Sequence, residues 1–181
     1  TDDARGLVAD LTARGQTVAT AESLTAGLLA ATLAGVPGAS AVLRGGLVTY
    51  TVETKIELAG VAPEVLEAVG PVAEATARAL AVGAQQRCGA TWGLGLTGVA
   101  GPEPHGGYPV GTVFLGVAGP VHAGPGTTVR LALEGTRWDI RLASVHAALV
   151  LHRGANQIAV GLVVSFLGIG ITALFGQNYV G

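Results

Sequence analysis

TVATAESLTAGLLAATLA, residues 17–34, decides the fold. Residues 17–21 are short, apolar and β-branched, which favours a strand. Residues 28–34, LLAATLA, suit a helix, and Ser23 and Thr25 just before them are available as its N-cap. A strand that leads into a helix is the repeating unit of an α/β sheet. The pattern continues on both sides. Residues 2–14 place Leu7, Val8 and Leu11 at helical spacing, and Gly15 stops the run. Residues 41–50 read as a strand, 53–58 as a helical turn, and Pro63 opens a short helix at the position its ring favours. Residues 72–87 form a longer helix and 90–96 a strand. A Gly/Pro loop at 97–109 precedes a hairpin-like pair of strands at 110–118 and 127–133, and residues 136–151 give a last helix. The expectation is an α/β fold: a three-layer α/β/α domain with a mixed sheet, followed by an apolar C-terminal tail.

The chain has 181 residues, the usual size of one domain with an appendage. Half of the residues are hydrophobic and 12% are charged, which excludes a disordered chain. A net charge of -2 leaves no general basic footprint, so nucleic acid is not an expected partner. The single cysteine, Cys88, excludes an intrachain disulfide framework and a multi-cysteine zinc site. None of the histidines 105, 122, 146 and 152 forms a pair with metal-ligand spacing, so no metal and no cofactor are expected. The start, TDDARGLVADLTARG, lacks the basic and apolar pattern of a secretory leader, and the main domain reads as cytoplasmic.

Charge is unevenly spread. Arg153 is the last charged residue, so a domain at 1–153 is set apart from an uncharged tail at 154–181. Within the tail, IAVGLVVSFLGIGITALF (158–175) reaches the lower edge of membrane-spanning length. The tail resembles a segment of a bacterial ABC-transporter permease. It has three readings: a membrane anchor, a foreign appendage, or an apolar helix buried against the domain or a partner.

Several motifs bear on chemistry. Gly93-Leu94-Gly95-Leu96-Thr97-Gly98 matches G-x-G-x-x-G, but a dinucleotide site needs that pattern to open a helix. Here prolines and glycines follow, and no acid lies about twenty residues on. Gly93 and Gly95 therefore read as strand glycines that permit close packing. The loop after them, Thr97-Gly98-Val99-Ala100-Gly101-Pro102, falls beyond a strand end, where ligands of α/β sheets bind. His105 in this loop is a candidate ligand contact. Ser23 falls at a strand-to-helix junction, a place that favours a phosphate or an oxyanion. Lys55 is the only lysine among ten basic residues. Lysine, unlike arginine, loses its proton when desolvated and then serves as a base toward a serine. The alternative is a surface ion pair with Glu53 or Glu57. Arg137 and Arg141 share a helix face and could hold a phosphate.

Four ordered segments carry a resemblance: TAESLTAGLLA (20–30), VPGASAVLRGGLVTYTVETKIELAGV (36–61), TGVAGPEPHGGYPVGTVFLGV (97–117) and GTRWDIR (135–141). Together they resemble the C-terminal domain of the competence/damage-inducible protein CinA, also found alone as the nicotinamide-nucleotide amidohydrolase PncC. The resemblance covers about residues 5–153. It implies hydrolysis of nicotinamide mononucleotide to nicotinic acid mononucleotide and ammonia, a step of pyridine nucleotide recycling. It implies Ser23 as nucleophile, Lys55 as base helped by Tyr50, and Thr97 in the catalytic group. Arg137 and Arg141 would engage the phosphate, with Thr25, Gly98, Ala100 and Gly101 beside the substrate. N–H groups at the helix start and in the 97–101 loop would hold the oxyanion. The family also implies a homo-oligomer. One departure stands out: the family's usual E-S-C-T-G-G is here Glu22-Ser23-Leu24-Thr25-Ala26-Gly27. Leu24 adds bulk and Ala26 adds a Cβ where the backbone needs glycine if φ is positive. A catalytically silent nucleotide-binding module is the alternative function.

Overall fold

A computed structural model of the chain describes residues 1–120 and 126–158, with residues 152–158 described by their backbone alone. His122, the side chain of His152 and residues 159–181 of the tail lie outside the described residues. The elements in chain order are α1 (Asp2–Arg14), β1 (Val18–Glu22), α2 (Leu28–Ala34), β2 (Leu43–Val48), α3 (Val52–Glu57), α4 (Pro63–Val69), α5 (Glu74–Cys88), β3 (Trp92–Gly98), β4 (Thr112–Ala118), β5 (Thr127–Ala132) and α6 (Arg137–Ile158). A short 3₁₀ turn, Ala39–Ala41, precedes β2.

The strands form one mixed sheet in the order β2-β1-β3-β4-β5. β1 pairs in parallel with both β2 and β3, while β4 and β5 add antiparallel neighbours. The chain passes from β1 to β2 in one direction and then returns past β1 to β3. Right-handed crossovers in opposite directions put their helices on opposite faces. Accordingly α2 packs with α1 and α6 on one face, and α5 covers the other. The layers anticipated from the sequence are thus present, and the carboxyl ends of β2, β1 and β3 open onto one crevice.

Burial follows strand position. β1 and β4 are buried along their whole length, whereas the edge strand β2 alternates between half-buried and exposed residues. Leu7, Val8 and Leu11 of α1 join Leu29, Leu33, Ile140 and Leu149 in the larger core. α1 itself starts at Thr1, whose hydroxyl accepts from the Ala4 N–H at 3.3 Å, and ends at Gly15 with φ +61°.

The G-x-G-x-x-G segment belongs to β3 and opens no helix. A Cβ at Gly95 would stand 2.3 Å from the Ala77 carbonyl oxygen of α5, and one at Gly93 would stand 1.9 Å from that of Ala81. These glycines let α5 sit directly on the sheet, as the strand-glycine reading expected. α6 runs past Arg153 to Ile158. Among the described residues no helix is long and apolar enough to cross a membrane.

Candidate active site

Glu22, the last residue of β1, is fully buried and organises the junction that follows. Its Oε1 accepts from the Thr20 hydroxyl at 2.9 Å and the Ala30 N–H at 2.8 Å. Its Oε2 accepts from the N–H groups of Gly27 and Leu29, both at 3.0 Å. The start of α2 is therefore closed by a carboxylate that also complements the positive end of the helix. This corrects two expectations. Neither Ser nor Thr caps α2: Gly27 occupies the N-cap, with no side-chain cap of its own. Nor are those helix-start N–H groups free for an oxyanion, because Glu22 has taken them.

Because Glu22 grips the helix from the strand, residues 23–26 bulge between them. The Ser23 N–H still bonds the Leu96 carbonyl at 2.9 Å, and the Ala26 N–H closes a turn onto the Ser23 carbonyl at 3.1 Å. Ala26 has φ +50° and is the only non-glycine with positive φ among the described residues. A left-handed alanine costs on the order of 1 kcal/mol relative to glycine. Ala26→Gly is therefore expected to stabilise the protein by about 1 kcal/mol. For a domain of this size that raises the melting temperature by roughly 2–4 °C, read by thermal denaturation.

Opposite the serine stands Lys55 on α3. Thr51 caps this short helix in a reciprocal pair with Thr54, which fixes the turn just ahead of the lysine. Lys55 is only 2% exposed, an unusual place for an ammonium. Its Nζ donates to Ser23 Oγ at 3.1 Å and to the Thr49 carbonyl at 2.8 Å. No carboxylate pairs with it among the described residues, so the surface ion pair with Glu53 or Glu57 does not form. Burial without a counter-charge pushes its pKa down to about 8. At pH 7 about a tenth of the chains carry the neutral amine that can take a proton from Ser23. If that amine is the base, kcat/KM rises about tenfold per pH unit below 8 and levels off above it, as a pH–rate profile will show.

The dyad opens into a cavity of about 370 Å³. Thr97, Gly98, Ala100 and Gly101 line it, together with Tyr50 and Arg137. Thr97 is fully buried, and its hydroxyl donates to the Pro71 carbonyl at 2.7 Å. Arg137, at the start of α6, reaches across the mouth. Its Nη2 donates to the Tyr50 hydroxyl at 2.7 Å and its Nη1 to the Gly101 carbonyl at 2.6 Å. Three of its five N–H donors remain for an anion. Leu24, Ala100 and Gly101 line the cavity, and among the described residues their N–H groups have no protein acceptor. They can therefore serve the developing oxyanion in place of the helix start.

Two expected substrate contacts are not brought into the cavity. Arg141 donates from Nε to the Leu24 carbonyl and from Nη2 to the Thr25 carbonyl, both at 3.0 Å, and lies over the Trp138 ring. It braces the serine loop from behind. Thr25 is fully buried, its hydroxyl has no partner among the described residues, and it does not line the cavity. Although Arg137 and Arg141 share a helix face, one turn of rise separates the cavity from the back of the loop. Sequence reasoning missed Glu22 as organiser of the loop; its place between the strand and Ser23 was the available signal. A larger groove of about 850 Å³ between α4 and α5 is lined mainly by small apolar side chains, Ala62, Val65 and Val82 among them, and holds no serine–lysine pair.

The family model of the CinA C-terminal domain matches residues 2–155. A CinA-like protein of Frankia casuarinae is 48% identical over 154 residues, which is 84% of this chain and 35% of that protein. Another CinA-like protein, from Anaeromyxobacter dehalogenans, is 50% identical over 151 residues, 81% of this chain and 36% of its own length. The chain thus spans about a third of the length of these relatives. The competence/damage inducible protein CihA from Agrobacterium tumefaciens has a solved structure similar to this one. It superposes with a TM-score of 0.79 at 37% identity, covering 86% of this chain and 94% of that one. A CinA superfamily protein from Klebsiella pneumoniae gives a TM-score of 0.81 at 29% identity, covering 88% and 97%.

Proposed function

The chain belongs to the CinA C-terminal domain family, and on that premise we propose that it is an amidohydrolase that converts nicotinamide mononucleotide to nicotinic acid mononucleotide and ammonia. The observation that carries the reading is the buried Lys55 Nζ, without a carboxylate partner among the described residues, 3.1 Å from Ser23 Oγ. A lysine held this way spends stability to keep a low pKa, which is a device of catalysis more than of folding.

In the proposed mechanism Ser23 Oγ attacks the carboxamide carbon while neutral Lys55 takes the hydroxyl proton. The N–H groups of Leu24, Ala100 and Gly101 stabilise the tetrahedral oxyanion. The C–N bond breaks as the Lys55 ammonium returns its proton to the departing nitrogen, which leaves as ammonia. A water then attacks the Ser23 ester. Lys55 accepts the water's proton and hands it back to Ser23 Oγ as the acid is released. The Thr49 carbonyl holds the amine in place throughout, as an orienting acceptor does for a base. Arg137 engages the phosphate with the donors it has not given to Tyr50 and Gly101, and Thr97 holds the Pro71 segment that closes one side. The activity would be cytoplasmic, where pyridine nucleotides are recycled.

The second reading, a silent nucleotide-binding module, draws on the strained Ala26. Against it, the left-handed turn is adopted and Ser23 still reaches Lys55. Ammonia release from nicotinamide mononucleotide by the full chain tests the choice. Turnover supports the amidohydrolase; tight binding without ammonia supports the silent module.

A further inference from the structure

We propose that Glu103 is the counter-charge for a cationic ring, so that the site selects pyridinium carboxamides over neutral ones of the same shape. The inference rests on the amidohydrolase reading for its substrate class.

Among the described residues that line the cavity of Ser23 and Lys55, Glu103 is the only carboxylate. The other charged groups there are both basic, and both are engaged. Lys55 is held by Ser23 and Thr49, and Arg137 is held by Tyr50 and Gly101. A ligand that brings a positive charge into this space meets one group of opposite sign, and it is Glu103.

The carboxylate sits on a short segment fixed at both ends. On one side the Gly101 carbonyl is tied to Arg137 at 2.6 Å. On the other, His105 and Tyr108 exchange backbone hydrogen bonds of 3.1 and 2.9 Å. Gly106 and Gly107 between them have φ +57° and +80°, the left-handed pair that a tight two-residue hairpin turn needs. Tyr108 packs edge-on against Phe114 at 5.4 Å, and the Arg130 guanidinium lies over both rings. Glu103 therefore stands two residues from a strapped backbone on one side and two from an anchored hairpin on the other. Such a frame steadies the backbone on either side of Glu103 and leaves its carboxylate exposed at the cavity.

In the reading above, Ser23 and Lys55 take the carboxamide and Arg137 the phosphate. The ring nitrogen lies between these ends of a pyridine mononucleotide. That nitrogen is quaternary and cationic in nicotinamide mononucleotide and neutral in its 1,4-dihydro form, with the phosphate and the carboxamide unchanged. Coulomb attraction across a partly hydrated cavity is worth about tenfold in affinity for the cation.

The test measures, by calorimetry, the affinities of nicotinamide mononucleotide and its 1,4-dihydro form for the full chain carrying Ser23→Ala, which blocks turnover. Adding Glu103→Gln is expected to weaken the cationic ligand about tenfold and the neutral one less than twofold. Glu103→Asp keeps the charge and is expected to keep most of the preference. Equal weakening of both ligands, as a contact to the ribose would give, overturns the proposal, and so does no weakening of either. Ammonia release by the unsubstituted chain is read in parallel. Its absence would defeat the hydrolase reading while the binding ratio still decides the role of Glu103.

Discussion

Lys55→Met is expected to abolish turnover and make the protein more stable. The lysine is the base and the proton carrier in both halves of the proposed reaction. Serine and base act as a unit, so its loss should lower kcat by about 10³-fold or more. The stability gain has a separate origin. Moving the lysine pKa from 10.5 to about 8 corresponds to about 3 kcal/mol of lost stability at neutral pH. Methionine fills a similar volume without that cost. It leaves the Thr49 carbonyl and the Ser23 hydroxyl without their donor, which takes back about 1–3 kcal/mol. The balance is a gain of about 1 kcal/mol, or roughly 2–4 °C in melting temperature at pH 7. The gap should depend on pH with a definite sign. Between pH 8 and 10.5 the unfolded chain keeps a proton that the folded chain has released, so wild-type stability rises with pH across that window. The advantage of the methionine variant is therefore full below pH 8 and shrinks toward pH 10.5. Melting curves at pH 7, 9 and 10 check it; a variant less stable than wild type at pH 7 would contradict the argument.

Ser23→Ala should be the more complete catalytic loss. Without Oγ there is no ester intermediate, and only the oxyanion donors and binding remain to assist water. A fall in kcat of about 10⁴-fold or more is the expected scale. Binding of the mononucleotide should hardly change, because Arg137 and the 98–101 segment do not depend on the hydroxyl. Folding should lose about 1 kcal/mol, because the buried Lys55 Nζ keeps only the Thr49 carbonyl as acceptor, while the Ser23 backbone still ties the loop to Leu96. Kinetics by ammonia release and calorimetric affinity on the same preparation separate these effects.

The sequence made the sheet legible because each element had a local cause. Residues 17–34 give strand and helix in one stretch, and late strands without a helix between them have to pair antiparallel. Lys55 stood out by composition alone, since every other basic residue is arginine. The site residues that went astray did so for a different reason. Glu22 looked like an ordinary acid beside a serine. Only the fold shows that its carboxylate spans from the strand to the N–H groups of the Gly27 cap and of Leu29 and Ala30 in α2. Arg137 and Arg141 carry the same signal in sequence, four residues apart on one helix. Their roles diverge because the first lies at the helix start over the cavity, and the second lies one turn further on, behind the serine loop. Sequence spacing states which residues share a face, but not what the face meets. For Ala26 the sequence posed a conditional question, and a φ of +50° answers it.

The central claim is that Ser23 forms an ester with the substrate's acyl group under the action of Lys55. Trapping with hydroxylamine during turnover of nicotinamide mononucleotide tests it most directly. An ester intermediate predicts that the hydroxamate of the mononucleotide accumulates in proportion to added hydroxylamine, at the expense of the free acid, while Ser23→Ala yields neither. Ammonia release in which the acid forms undiminished, with no hydroxamate at any hydroxylamine concentration, would mean that water attacks the amide directly and would contradict the account.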